Sequence, residues 1–132
     1  DAQRTVFRFA PAVAPVKVTV FPLLNREAMD AKAREIERAL TAVGLATLVD
    51  TTSTTVGKRY ARTDEIGVPF GVTVDGASLE DGTATLRERD SMAQVRVPIS
   101  ELPGVVRALV DGKKDWASVQ GSYPAQAAPA DK

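Results

Sequence analysis

The stretch that decides the fold is VKVTVFPLLNREAMDAKAREIERALTAVGLATLVD, residues 16–50. It opens with VKVTV (16–20), where valines alternate with polar residues in the period-two pattern of a strand. After Asn25, a predicted N-cap, apolar residues recur at three- and four-residue steps as far as Gly44, which predicts an amphipathic helix. Residues 45–50 then predict a second strand. This strand–helix–strand order favours two parallel neighbouring strands.

The rest of the chain continues with alternating elements separated by turn formers. The sequence predicts a helix over 55–66 that ends at Gly67, followed by strands over 68–75, 83–90 and 94–98, with a turn over 75–82 between the first two. It then predicts a helix from the cap Ser100 to Gly112 and one more helical turn from Asp115 through Trp116 and Val119. These elements predict an α/β domain in which a mixed five-stranded sheet is flanked by three helices.

The two ends of the chain differ from its middle in composition. Residues 1–15, with several prolines nearby, predict an extended lead-in. Residues 16–123 are expected to form the domain. The last nine residues, 124–132, hold little apolar surface to bury and are expected to be a disordered tail. Since the chain of 132 residues does not begin with Met, we expect a fragment or a processed product.

Composition excludes several classes of site. The chain has no cysteine and no histidine, which excludes disulfides, thiolate metal sites and the commonest general base. Phosphate-binding loops and nucleophile elbows are absent, so no catalytic residue is predicted. A magnesium or calcium site made of carboxylates alone remains open, but the acidic residues lack the spacing of a calcium-binding loop, so no metal site is predicted. Seventeen basic residues balance seventeen acidic ones, which argues against coating nucleic acid or membrane by charge alone. No apolar run reaches the roughly 18 residues that span a bilayer.

The predicted helix over 55–66 carries charges that oppose its own dipole. Lys58 and Arg59 lie near its start, while Asp64 and Glu65 lie near its end, which is the unfavourable arrangement. Lys58, Arg62 and Glu65 also share one helical face. These charges weaken the helix that carries them, so their presence suggests that they have a role in recognition. Mutual salt bridges are the alternative explanation.

Strand alternation predicts a second polar surface on the hairpin. Thr83, Thr85, Arg87 and Arg89 should face one side, with Pro69, Gly71 and Thr73 facing the same side of the neighbouring strand. Two interpretations remain open for this face: a nucleic-acid surface, or an ordinary charged solvent face. Phe70 has two interpretations as well, as a stacking platform for an unpaired base or, by its register with neighbouring valines, as a core residue.

Two long blocks carry a resemblance to a known family. They are VGKRYARTDEIGVPFGVTVD (56–75) and TATLRERDSMAQVRV (83–97), supported by 9–23 and 101–119. Over most of the chain the sequence resembles the C-terminal anticodon-binding domain of glycyl-tRNA synthetase, of the dimeric class II type found in eukaryotes and archaea. The resemblance implies the class II anticodon-binding fold.

The same resemblance implies a function. It implies a domain that binds the anticodon loop of glycine tRNA within a ligase whose separate catalytic domain uses ATP and magnesium. This chain should then hold no cofactor, be inactive and monomeric alone, and have no membrane partner, while the parent enzyme should be a homodimer. The implied location is the cytoplasm, with mitochondria as a second compartment. The alternative is a stand-alone RNA-binding or accessory subunit that reuses the fold, as in a mitochondrial DNA polymerase.

Glycine anticodons end in two cytosines, and cytosine offers an amino donor beside two acceptors. A site that reads cytosine therefore needs carboxylates and basic groups side by side. Together with the resemblance, this requirement selects ten candidate RNA-binding residues. They are Lys58, Arg59, Arg62, Asp64, Glu65, Phe70, Thr73, Arg87, Arg89 and Asp90.

Overall fold

A computed structural model describes residues 10–24, 26–51, 58 and 67–127. The strands are β1 Val18–Pro22, β2 Thr47–Val49, β3 Phe70–Val74, β4 Thr83–Glu88 and β5 Gln94–Pro98. The helices are α1 Glu27–Ala42, α2 Gly76–Glu80, α3 Leu102–Val110 and α4 Trp116–Ser122, and a 3-10 turn, Ile99–Glu101, precedes α3. The predicted helix over 55–66 lies outside the described residues except for Lys58, which is helical.

The strands form one mixed sheet in the order β2-β1-β3-β4-β5. β1 pairs in parallel with both β2 and β3, whereas β3, β4 and β5 pair antiparallel. The predicted fold class is therefore confirmed, including the parallel pair and the hairpin. Two of the three predicted helices lie in the described residues, as α1 and α3. The structure also has α2, which was not predicted, and α4 is longer than the single helical turn predicted there.

The core lies between one face of the sheet and the helices α1, α3 and α4. Met29, Ala33, Ile36 and Leu40 of α1 pack there with the apolar face of α3 and with alternate residues of the strands. The central strands β1 and β3 are buried along their whole length, on both faces. Two-sided burial is usual for parallel strands, and it agrees with the position of β1 and β3 in the interior of the sheet.

Helix α1 begins one residue later than predicted. Its N-cap residue is Arg26, whose side chain makes no capping hydrogen bond, and Asn25 lies outside the described residues. Glu27 and Asp30 place two carboxylates in the first turn, where the helix dipole favours negative charge. The predicted stop is confirmed at Gly44, which has a φ of 84°.

The described part of the lead-in is a turn and not an extended segment. The amides of Val13 and Ala14 both donate to the carbonyl of Ala10. The Lys17 ammonium group then donates to the carbonyl oxygens of Pro11, Ala12 and Ala14. One lysine thus satisfies three backbone acceptors, which explains why a proline-rich segment folds back on itself.

Two further predictions about helix starts need correction. The predicted turn over 75–82 contains α2, whose N-cap Asp75 and residue Ser78 form a reciprocal capping box. Ser100 does not cap α3, because it lies inside the 3-10 turn and the helix begins at Leu102 with Pro103 in its first turn. Asp115 does cap α4 as predicted, since its carboxylate accepts from the amide of Ser118 at 2.8 Å.

The C-terminal segment differs from the predicted disordered tail over residues 124–126. Ala125 forms a β-bridge with Val95, the amide of Arg96 donates to Pro124, and the amide of Gln126 donates to Gln94. These residues therefore cover the outer edge of β5, and a proline fits there because an edge strand needs no amide on its outer side. Residues 128–132 lie outside the described residues.

Candidate nucleic-acid interface

The β3–β4 hairpin brings the predicted polar side chains onto one face of the sheet. Gly71 pairs with Arg87, and Thr73 pairs with Thr85, so their side-chain positions share a face. This confirms the predicted alternation. Thr73, Thr85 and Arg87 are nevertheless buried, each at 6% exposure or less. The predicted polar face exists, but these members of it do not face solvent.

A row of four residues crosses this face of the sheet. Thr19, Gly71, Arg87 and Gln94 are successive partners on β1, β3, β4 and β5. All four are buried, and in the described structure the Thr19 Oγ1 and Gln94 Oε1 atoms have no hydrogen-bond partner. Buried polar atoms without a partner each cost about 1–3 kcal/mol. The row is therefore an internal polar layer and not a surface that RNA contacts directly.

Arg89 directly follows β4, and its hydrogen bonds link this end of β4 to the residues just before β3. Its Nη1 atom donates to the carbonyl of Gly67 at 3.2 Å, and its amide donates to the carbonyl of Pro69 at 2.9 Å. Its Nε atom donates to Asp90 Oδ1 at 2.9 Å. Gly67 has a φ of 81°, a left-handed conformation that glycine adopts without strain. Arg89 therefore fastens two chain segments that are 22 residues apart.

The turn between β4 and β5, residues 89–93, is exposed near its tip. The Asp90 side chain is 51% exposed, and Met92 is 58% exposed with a φ of 60°. A non-glycine residue in this left-handed region is uncommon and usually reflects a constrained turn. The constraint comes from Glu88, whose carboxylate accepts from the amide of Ser91 and whose carbonyl accepts from the amide of Met92.

Phe70 was a candidate for base stacking, with a core role as the alternative. It is 2% exposed and belongs to the core cluster, opposite Val18 of β1. Its ring lies on the helix-covered face of the sheet, so a base cannot stack on it in this structure. The core interpretation holds because Phe70 follows the same alternation as Val72 and Val74.

The candidate residues of the second predicted helix are described only in part. Lys58 is helical and exposed, which suits contact with a phosphate. Arg59, Arg62, Asp64 and Glu65 lie outside the described residues, so the proposed cluster of helix and hairpin charges stays a prediction.

One polar network was missed by sequence reasoning. Arg96 of β5 donates to both carboxylate oxygens of Asp75 at 2.6 and 2.7 Å, and to the hydroxyls of Thr83 and Thr85 at 2.8 and 3.3 Å. The Arg96 hydrogen bonds, opposed in part by burial, lower the pKa of Asp75 below its usual value. The sequence does contain a signal for this network. Arg96 lies between Val95 and Val97, so strand alternation places its side chain on the face of the sheet away from the core.

Within residues 10–24, 26–51, 58 and 67–127, no three acidic side chains lie close enough together to bind a metal ion.

Among the helices that the structure describes, none is both long and apolar enough to cross a membrane.

Comparison with known proteins adds to this geometry. A family model for the anticodon binding domain matches residues 17–109, which include the whole sheet and α1 to α3 apart from the last residue of α3. The chain belongs to the anticodon-binding domain family. This anticodon-binding domain is also similar to a solved prolyl-tRNA synthetase from Cryptosporidium parvum, with a TM-score of 0.74 and 27% identity over 80% of the chain and 22% of that protein.

Three sequence relatives of this anticodon-binding domain are glycine–tRNA ligases, which confirms the resemblance drawn from the two long blocks. One from Methanothermobacter thermautotrophicus is 61% identical over 77% of the chain. Ligases from Bombyx mori and Archaeoglobus fulgidus are each 46% identical, over 94% and 86% of the chain. The chain spans 17–20% of the length of these three relatives.

Proposed function

We propose that this chain is the anticodon-binding part of a glycine–tRNA ligase and contacts the anticodon loop of a glycine tRNA. The observation that carries the proposal is 61% identity to such a ligase over 102 residues, within a fold of the anticodon-binding family. The relatives reported above are all ligases. The alternative of a stand-alone accessory subunit is therefore not favoured.

The exposed β4–β5 turn and the exposed Lys58 support a particular mode of binding. Asp90 offers a carboxylate to the amino group of a cytosine, and Lys58 offers a positive charge to a phosphate. Arg59, Arg62, Asp64 and Glu65 belong to the same proposed surface by their positions in the sequence. The buried residues Phe70, Thr73 and Arg87 support the surface from below rather than contact the RNA.

The ligase reaction itself belongs to the rest of the proposed parent protein. We propose that the part corresponding to the remaining four-fifths of the relatives binds ATP and magnesium, attaches glycine to the tRNA and forms the homodimer. This chain alone should be a monomer that catalyses no ATP–pyrophosphate exchange with glycine. The proposed locations are the cytoplasm and mitochondria. Exchange above background, or a stable dimer in sedimentation, would contradict this division of roles.

Titration with a glycine anticodon stem-loop tests the proposed interface. Arg62→Ala, Glu65→Ala or Asp90→Ala should weaken binding by about 1–3 kcal/mol and relax the preference for cytosine at one position. Lys58→Ala should weaken binding to all stem-loops about equally, since a phosphate contact carries no sequence information. Thermal melts establish that each variant is folded. Wild-type affinity and wild-type cytosine preference in all four variants would show that this surface is not the interface.

A further inference from the structure

The sheet ends in two edge strands of different length. β2 has three residues, Thr47–Val49, whereas β5 has five, Gln94–Pro98. A short edge strand offers few backbone groups to another chain, but a longer one is a template for strand pairing. In this structure the outer side of β5 is covered by residues 124–126, which form the edge segment.

Two backbone hydrogen bonds hold the edge segment on β5. The amide of Arg96 donates to the carbonyl of Pro124 at 2.8 Å, and the amide of Gln126 donates to the carbonyl of Gln94 at 2.9 Å. A regular antiparallel pairing at these positions has four such bonds, because the two residues of each facing pair exchange two. Pro124 has no amide to donate to Arg96, so the pairing made by the edge segment is incomplete.

The side chain of Gln94 also lacks a partner at this edge. Gln94 is 6% exposed, and its Oε1 atom accepts no hydrogen bond in the described part of the chain. Gln126 lies opposite Gln94, but its side-chain amide donates to the carbonyl of Ala127 at 3.2 Å instead. A buried acceptor without a donor destabilises the folded state. The edge segment therefore leaves unmade a hydrogen bond that a different occupant of the edge can supply.

We propose that the β5 edge pairs with the β5 edge of a second copy of this chain, and that the edge segment blocks this pairing. A two-fold axis at Val95 places Gln94 of each copy opposite Arg96 of the other copy in antiparallel register. Neither residue is a proline, so all four backbone hydrogen bonds form. Facing residues also share a face of the sheet, which brings the Arg96 guanidinium group beside the unpartnered Gln94 oxygen.

The balance of hydrogen bonds keeps the complete chain monomeric. Two complete copies break the four bonds made by their edge segments and form four others, while association costs translational and rotational freedom. Two copies without edge segments form the same four bonds and break none. The edge segment is therefore an intramolecular competitor for the β5 edge. This role does not depend on the proposed RNA binding.

A side-chain contact anchors the edge segment at its start. The Tyr123 hydroxyl donates to the Glu101 carboxylate at 2.5 Å, and Glu101 lies in the 3-10 turn that follows β5. The anchor keeps the edge segment next to the strand that it covers. Its effective concentration there is high, which favours rebinding over pairing with a second copy.

Sedimentation equilibrium of two deletion variants tests the proposal. The complete chain and a variant without residues 128–132 should both be monomeric over the same concentration range. A variant without residues 124–132 should form a dimer, with a dissociation constant at least roughly 25-fold lower than that of the complete chain. The factor arises because each of the two copies in the complete chain must first break two hydrogen bonds.

A substitution tests the blocking role in the complete chain. Gln126→Pro removes the amide that donates to Gln94, so it should lower the dissociation constant of the dimer in the same direction as the deletion. Ala127→Pro keeps both backbone bonds of the edge segment and is the matched control, which should stay monomeric.

A change of charge at Gln94 tests where the two copies meet. In the variant without residues 124–132, Gln94→Lys places like charges opposite each other and should return the protein to a monomer. Gln94→Glu places a carboxylate opposite Arg96 and should dimerise at least as tightly. Circular dichroism establishes that each variant is folded. If Gln94→Lys is unfolded, Gln94→Glu decides the question, because a weaker dimer overturns the proposal.

The remaining outcomes are equally direct. A variant without residues 124–132 that stays monomeric overturns the proposal, and so does a dimer that a folded Gln94→Lys variant retains, because the copies then meet elsewhere. Association beyond a dimer also overturns it, since pairing about a two-fold axis is closed. A complete chain that dimerises as tightly as the deletion variant shows that the edge segment blocks nothing. None of these results depends on stem-loop binding.

Discussion

Arg96 and Asp75 form a bidentate ion pair that spans three strands of the sheet. Arg96 lies on β5 and Asp75 follows β3, while Thr83 and Thr85 of the intervening β4 also accept from the guanidinium group. The same carboxylate caps α2 by accepting from the amide of Ser78 at 3.2 Å. The Asp75 side chain therefore joins the antiparallel part of the sheet, through Arg96 of β5, to the helix α2 that follows β3.

We expect Asp75→Ala to lower the free energy of unfolding by about 2 kcal/mol. The change removes a helix cap, worth about 1 kcal/mol, together with a partly exposed ion pair that adds a similar amount. Asp115→Ala is the matched control, because Asp115 caps α4 and forms no ion pair with a basic side chain among the described residues, so its loss should cost only about 1 kcal/mol. Urea unfolding of both variants measures the difference. Equal losses of unfolding free energy in the two variants would mean that the ion pair with Arg96 contributes nothing to stability.

The pH dependence of stability should show the same ion pair. Arg96 holds the pKa of Asp75 below its usual value, so the folded state binds the Asp75 proton less tightly than the unfolded state does. The stabilisation is present above the unfolded pKa of about 3.9 and is lost as the pH falls through the lower folded value. The stability difference between wild type and Asp75→Asn should shrink below about pH 4. A difference that stays constant there would contradict the assignment.

Removing residues 124–132 should destabilise the domain by about 1–2 kcal/mol. The deletion removes the two backbone hydrogen bonds that pair Pro124 and Gln126 with β5, each worth about 1 kcal/mol. A shorter deletion of 128–132 removes neither bond and should leave the urea midpoint unchanged. Equal urea midpoints for the two deletions would contradict a stabilising role for the pairing of residues 124–126 with β5.

Tyr123 should titrate at unusually high pH. Its hydroxyl donates to the carboxylate of Glu101 at 2.5 Å, and this bond, with burial and the nearby negative charge, raises the pKa of Tyr123 to about 12. The bond stabilises the fold below the unfolded pKa of about 10, and this contribution is lost as the pH rises through about 12. A difference absorbance titration against Tyr123→Phe measures the value. Glu101→Gln should return it towards 10, and an unchanged value would remove Glu101 as the cause.

Phe70→Ala should lower the free energy of unfolding by about 3–5 kcal/mol, because it empties a large space in the core. Leu48→Ala, at a position 44% exposed on β2, should change it by no more than about 0.5 kcal/mol. Thermal and urea unfolding compare the two variants. A Phe70→Ala variant that keeps its stability but loses RNA affinity would restore the stacking role.

Local patterns were enough to predict most elements of this fold. Alternating valines predicted β1 and β3, three- and four-residue spacing predicted α1, and glycines marked stops at Gly44 and Gly112, both of which have positive φ. Such features depend on contacts between residues that are close in sequence, so they can be read locally. The capping box of α2 was also present in the sequence, as Asp75 and Ser78 three residues apart, but the surrounding glycines favoured a turn.

Features that depend on distant contacts were predicted less well. The sequence indicated that the C-terminal residues had nothing to bury, yet 124–126 pair with β5 because an open sheet edge offers them backbone partners. The fold-back of residues 10–14 was missed for a different reason: it depends on a nearby side chain, because the ammonium group of Lys17 bonds to carbonyls only three to six residues away, and the strand pattern of residues 16–20 does not indicate that role.

By itself, the sequence determined the strand and helix pattern, the mixed sheet and the family to which the chain belongs. It also placed Arg87 and Arg89 on one face of the hairpin. Only the tertiary structure decided how exposed those side chains are, burying both arginines and leaving Asp90 at the surface. The physical reason is that strand alternation specifies which face a side chain occupies, whereas burial depends on what packs against that face and where the sheet ends.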